Sequence, residues 1–253
     1  MSAVKLVAVF AENKPGQTAR FTKILAEANL NIRWVTVASI GAFGVMKFLV
    51  SDSQVAYEAM KHEGYVTTLL DVLAADGKLG GVLIQFPYHF TNLPERLHYV
   101  RHLGRVFAPY RLFVEVRHDS WNTDSTREAL HEQQLHTVNV DLPRIRRHMP
   151  FRADAWDGLA YFRMMGRNAY GWQHPDREER YRYCYSAAEI DTLAAQVLST
   201  AKRDSKTFVV FHNDPEARSI INGYQLQRKF RQTIPVVPRG TMAGSSLELP
   251  FAA

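Results

Sequence analysis

The hydrophobic and polar positions fall into two regimes that change near residue 76. Val4–Phe10 alternates and is β-rich, so it predicts a strand. After the loop 11–18, Ala19, Phe21, Ile24, Leu25 and Ala28 recur at helical spacing, and Asn29 and Asn31 punctuate the end of that helix. Ile32–Ile40 and Val45–Val50 predict two strands joined by the turn Gly41-Ala42-Phe43-Gly44. Asp52 or Ser53 caps a second helix through Val55, Ala56, Ala59 and Met60, which Gly64 ends, and Tyr65–Leu73 is the fourth strand. The resulting order βαββαβ is the ferredoxin-like arrangement.

Beyond the short junction 76–81 the pattern becomes strand, helix, strand. Val82–Phe86, Leu112–Val116, Thr137–Val140, Leu159–Phe162 and Phe208–Phe211 predict strands; Leu93–Phe107, Ser125–Gln133, Ala187–Ala201 and Ser219–Phe230 predict helices. Repeated βα units imply parallel strands with helical crossovers. Five such strands fall short of the eight or so of a closed (β/α) barrel, so the expected class is α/β: a ferredoxin-like unit followed by a partial TIM-barrel-like unit. The divisions are 1–75, 76–230 and a Pro-, Gly- and Ser-rich stretch 231–253 that reads as a disordered tail.

The most informative stretch is Leu112–Asn122, where an apolar run breaks into polar and aromatic residues. Alternation puts Phe113, Glu115 and Arg117 on one face of the strand and Val114 and Val116 on the other. A carboxylate and a guanidinium on a buried strand are either an internal ion pair closing the sheet end or part of a site, since strand ends in α/β folds carry reacting groups.

Composition narrows the function classes. The chain has 253 residues and a formal charge of +6. Residues 1–76 hold seven Lys/Arg against seven Asp/Glu, so the whole excess lies in 77–253, 24 against 18. Those arginines cluster in loops around 144–152 and 177–182, without a heptad, zinc-finger spacing or aromatic RNA-binding motif; solvated surface is the better account and nucleic acid the minor alternative. No apolar run spans a bilayer and the N-terminus lacks a signal-peptide pattern, so a cytoplasmic location is expected with no membrane partner. Cys184 is the only cysteine, which excludes an internal disulfide and a cysteine-rich zinc site. His98 and His102 lie one helical turn apart beside Arg101 and Arg105 and read as a wet helix face; no metal ligand set or cofactor is implied.

Glu12-Asn13-Lys14-Pro15-Gly16-Gln17, with Asn31-Ile32 after the first helix, resembles an ACT domain, a regulatory module for amino acids or similar small ligands. The resemblance implies a ligand pocket at the turn after the first strand and the start of the second, with Asn13, Gly16, Gln17 and Asn31 as candidates, and pairing of two copies into a homodimer. The loop chemistry agrees: Gly16 permits close backbone approach, helix-start amides suit a carboxylate, and Asn offers both donor and acceptor.

Leu83-Ile84-Gln85-Phe86-Pro87, Val114–Trp121, Val140-Asp141-Leu142-Pro143, Tyr161–Asn168, Arg180-Tyr181-Arg182-Tyr183 and Phe211-His212-Asn213 together resemble the later strands of the YecE-like barrel family, domain of unknown function 72. The sequence departs from that pattern at Met165, Arg182 and His212. The matched positions expected at the barrel mouth are Gln85, Glu115, Arg117, Trp121, Asp141, Arg163, Arg167, Asn168, Tyr183, Asn213 and Asn222. Arg117, Arg163 and Arg167 have the chemistry to clamp an anion, Glu115 or Asp141 to act as a general base, and Trp121 or Trp172 to stack on a ring. Two functions follow from this: a small-molecule binding or regulatory protein of amino-acid type, or an enzyme acting on an anionic substrate such as a sugar phosphate or nucleic-acid fragment, with Glu115, Arg117, Asp141 and Arg163 as its catalytic candidates.

Overall fold

The computed structural model describes residues 6–12, 14–40, 43–69, 74, 77–108, 110–174, 176, 178–200 and 206–230. The candidate Asn13 and the expected tail 231–253 lie outside the described residues.

The first regime forms β1 (Leu6–Glu12), α1 (Gln17–Glu27), β2 (Ile32–Ile40), β3 (Phe43–Val50), α2 (Ser53–His62) and β4 (Val66–Leu69). The strands make one antiparallel sheet in the order β2-β3-β1-β4. Local chemistry sets the helix starts. Asp52 Oδ1 accepts from the amides of Gln54 and Val55, whereas α1 begins without a side-chain cap, on Gly16 at φ 88°, a left-handed conformation that glycine adopts without a Cβ penalty. Val7, Val9, Phe48 and Val50 face the helices and pack with Phe21, Leu25 and Met60.

The opposite face turns toward the second half of the chain. A β-bulge between Ile32 and Trp34 breaks the two-residue alternation, so Ile32 packs on the helix side while Trp34 packs on the other. There Trp34 meets Phe107 edge-on at 5.5 Å, in a core shared with Leu6, Leu49 and Tyr110. One hydrophobic cluster therefore joins the two halves.

The second half runs β5 (Val82–Gln85), α3 (Pro94–Val106), β6 (Leu112–Glu115), α4 (Asp124–His131), β7 (Leu135–Thr137), β8 (Asn139–Asp141), β9 (Leu159–Met164), α5 (Ala169–Gln173), α6 (Ala187–Thr200), β10 (Lys206–Phe211) and α7 (Arg218–Lys229). Where the sequence predicts a single strand over Thr137–Val140, the structure has two, in separate parallel sheets ordered β5-β6-β7 and β8-β9-β10. The chain changes partner there. Thr137 lies opposite Val114 of β6, Asn139 lies opposite Phe162 of β9, and only Val138 separates them, its N–H donating to the Val114 carbonyl. The Asn139 side chain fixes the change by donating to the carbonyls of Asp154 and Tyr161.

Alternation along these strands stacks side chains in tiers. Phe113, Val138, Val140 and Met165 form an apolar cluster with Leu83, Tyr161 and Phe208 packed against it. Phe113 meets Tyr161 edge-on at 4.9 Å, and a Cβ on Gly81 would come within 2.5 Å of the Phe113 ring. Two residues further along their strands, Gln85, Glu115 and Arg163 occupy the same faces and make the next tier polar.

His136 of β7 is 7% exposed, and its Nδ1 has no hydrogen-bond partner among the described residues. Burial, then the charge of Arg111, pull it down from 6.5 to about 4. Its folded value lies below its unfolded one, so the unfolded chain binds the proton first as pH falls. The contribution is complete above pH 6.5 and is lost toward pH 4. Urea unfolding at pH 7.5 and 4.5 is expected to differ by about 2 kcal/mol more in the parent than in His136→Gln, and an unchanged difference would rule this histidine out as the cause.

Candidate functional site

The C-terminal ends of the parallel strands gather most of the charged candidates into two adjoining networks. In the first, Glu115 at the end of β6 is wholly buried, and Arg117 and Arg163 are each 6% exposed. Arg117 Nε donates to Glu115 Oε1 at 2.8 Å, while Arg163 of β9 reaches Oε2 and also donates to Gln85 Oε1 of β5 at 2.8 Å. One carboxylate is thus shared by two guanidiniums, and both of its oxygens are taken.

Trp172 of α5 covers this cluster. The guanidiniums of Arg117 and Arg180 lie 5.7 Å and 5.6 Å from its ring centroid. His212, just beyond β10, packs edge-on against Tyr181 at 4.7 Å, and burial followed by the charge of Arg163 holds its imidazole below the usual range. Four buried N–H groups in this cluster have no partner among the described residues: Arg117 Nη2, Arg163 Nε, Arg180 Nε and Trp172 Nε1.

The second network centres on Asp141, 2% exposed at the end of β8. Arg167 grips it through Nε and Nη2, both at 2.9 Å, and Tyr185 donates its hydroxyl proton at 2.6 Å. Tyr185 in turn accepts from the Gly166 amide at 2.9 Å, while Glu189 in the first turn of α6 accepts from Arg167 at 3.1 Å and from the Tyr183 hydroxyl at 2.7 Å. Burial and then the Glu189 hydrogen bond push Tyr183 up to about 12; burial and then Asp141 push Tyr185 well above its usual range. Beside this network opens a cavity of about 520 Å³ lined by Asp141, Arg167, Arg144, His148, Phe151 and Thr192, a size suited to a small molecule.

Gln85, Glu115, Arg117 and Arg163 come together in the first network; Asp141, Arg167 and Tyr183 come together in the second. Asn213 and Asn222 lie beside the second, where Asn213 Nδ2 donates to the Tyr183 carbonyl and to Asn222 Oδ1. Asn168 caps α5, its Oδ1 accepting from Gly171 and its Nδ2 donating to the Glu179 carbonyl. Trp121 stays away from the mouth, stacked on Phe90 at 5.4 Å with its Nε1 donating to the Phe90 carbonyl.

In the antiparallel half, Gln17 Oε1 is buried without a partner among the described residues. Asn31 is exposed and donates its amide to Ser51 Oγ at 3.1 Å. Sequence reasoning left Tyr185, Glu189, Arg180 and Tyr181 off the candidate list. The alternation of Tyr181, Tyr183 and Tyr185 was the available signal, and it reads as packing until the partners of the hydroxyls are seen. Cys184, the single cysteine, is exposed.

Among the described residues, no cluster of three or more His, Cys, Asp or Glu is arranged to hold a metal ion, and no helix is long and apolar enough to cross a membrane. Residues 1–80 match the family model described as ACT domain pair. Residues 47–243 match Protein of unknown function DUF72, so the two matches overlap over 47–80. A DUF72 family protein from Thermotoga maritima is 31% identical in sequence, with a TM-score of 0.61 over 72% of this chain and 67% of that one. One from Enterococcus faecalis is 27% identical, again at 0.61, over 72% and 66%. The chain therefore spans about two thirds of the length of these relatives. No curated protein matched the sequence. Both resemblances read from the motifs are borne out, and the chain belongs to the family described as Protein of unknown function DUF72.

Proposed function

We propose that this is a small-molecule-binding protein that holds an anionic ligand at the C-terminal ends of its parallel strands, in the mouth of a partial TIM-barrel-like unit. The carrying observation is the buried sharing of Glu115 between Arg117 and Arg163, with further guanidinium N–H groups beside it left unmatched. Buried charge is costly unless it is compensated, and an anion supplies the compensation. A role for Glu115 as general base has less support, because the carboxylate is wholly buried with a guanidinium held against each oxygen, which bars the approach of a substrate proton. Asp141, gripped by Arg167 and Tyr185, suits a positioning role over a proton-transfer one.

A second reading concerns residues 1–75, taken as a ferredoxin-like regulatory domain. Gln17 Oε1 is a buried acceptor at the start of α1, where helix amides point outward, so an α-amino acid has an ammonium for the first and a carboxylate for the second. Pairing of two copies is supported by edge strand β2, which leaves Val35 and Val37 45% and 57% exposed. Light scattering at micromolar concentration is expected to give a dimer.

Thermal unfolding against organic phosphates, dicarboxylates and amino acids tests both readings. At a hundred times its dissociation constant a ligand stabilises by about 2.7 kcal/mol. For an anion in the strand-end site, Arg180→Gln is expected to remove the shift and Gln17→Leu to leave it; the reverse outcome assigns the ligand to the first half.

A further inference from the structure

Building on the strand-end anion site, we propose that the group held beneath Trp172 is a phosphate monoester dianion, with inorganic phosphate as its minimal form, and not a carboxylate. The unmatched groups around Glu115 and Trp172 share one chemical sense. Arg117 Nη2, Arg163 Nε, Arg180 Nε and Trp172 Nε1 are all donors, all buried, and all without an acceptor among the described residues. Asn213 Oδ1, an unmatched acceptor, belongs to the neighbouring group around Tyr183 and Asn222, and Tyr181 brings its hydroxyl beside the Arg117 guanidinium. A buried unpaired donor is costly, so four in one place call for a ligand rich in acceptors.

Charge and shape select among such ligands. The guanidiniums of Arg117 and Arg163 flank the single carboxylate of Glu115, and that of Arg180 lies over the Trp172 ring beside them, an excess of two positive charges. A phosphate monoester carries about −1.5 to −2 at pH 7, whereas a carboxylate or a phosphodiester carries one negative charge. Four donors would take up every lone-pair site of a carboxylate, while a phosphoryl group offers three oxygens with acceptor sites to spare, and guanidinium N–H pairs fit its edges. The same guanidiniums reach His212, where burial, then Arg163 and Arg117, hold the imidazole down against the opposing pull of Asp214 and Glu115.

Calorimetry on the full chain with inorganic phosphate, glycerol phosphate, a dimethyl phosphodiester and acetate tests this. Inorganic phosphate and the monoester are expected to bind at pH 7.5, at least tenfold more tightly than acetate or the diester, and to weaken at pH 5, where the second phosphate proton is bound. Trp172→Phe keeps the ring and removes one donor, and is expected to weaken phosphate about fivefold; Arg180→Gln is expected to weaken it tenfold or more. Arg101→Gln, on the surface of α3, leaves it unchanged. Phosphate binding insensitive to both Trp172→Phe and Arg180→Gln places the anion elsewhere and overturns the inference. A dicarboxylate that binds in an Arg180-dependent way while phosphate does not overturns the phosphoryl assignment and leaves the anion site standing; no binding by any anion overturns both.

Discussion

Glu115→Gln is expected to lower the free energy of unfolding by about 3–5 kcal/mol, the range found when one partner is removed from a buried ion pair. The amide keeps one acceptor oxygen for either Arg117 or Arg163, but turns its NH₂ toward the other, so a donor faces a donor inside a site where all three residues are nearly closed to water. For a chain of this size the loss corresponds to a fall in melting temperature of about 10 °C. Glu115→Asp provides the contrast: it keeps the charge and shortens the reach, and a smaller loss from it than from Glu115→Gln identifies charge as the cause. Urea unfolding followed by tryptophan emission measures both. A loss below about 1 kcal/mol for Glu115→Gln would mean that water or an anion already compensates the guanidiniums.

Asp141→Asn is expected to cost about 3 kcal/mol for a related but separate reason. The carboxylate accepts from Arg167 on two nitrogens and from the Tyr185 hydroxyl, and Tyr185 accepts from Gly166, so all of its partners are already committed as donors. The asparagine NH₂ must face one of them. Because Arg167 also holds Glu189, the damage spreads from the end of β8 to the first turn of α6. Hydrogen exchange is expected to quicken in the segment around Ser186–Glu189 in this variant and to stay unchanged in α2, on the far half of the chain. Equal acceleration in both would show a global loss and no local link.

The elements were legible wherever a single period dominated. Val7 and Val9 against Phe21, Leu25 and Met60 follow from alternation and helical spacing alone. Trp34 does not, because its side is set by a one-residue bulge that inverts the strand pattern without any glycine or proline to announce it. The division at Val138 was equally silent: a strand that changes neighbours keeps a continuous β-rich sequence, and only the pairing partners reveal the change. At the site, the alternation of Glu115 with Arg117 was readable, but that Arg163 completes their triad across the sheet joint was not, since the contact spans 48 residues. Trp121 and Trp172 illustrate the same limit: both follow strands in the sequence, yet one is stacked on Phe90 and the other on arginines.

The joint at Val138 has a mechanical consequence for the first network. Gln85 and Glu115 ride on one sheet, with Arg117 just past its end, and Arg163 rides on the other, so the Arg163 contacts to Glu115 and Gln85 work with the Phe113–Tyr161 contact as a clasp across a hinge that the chain crosses in one residue. Whatever tightens that clasp stiffens the hinge, and its looseness is readable at a single backbone amide, the one Val138 gives to Val114.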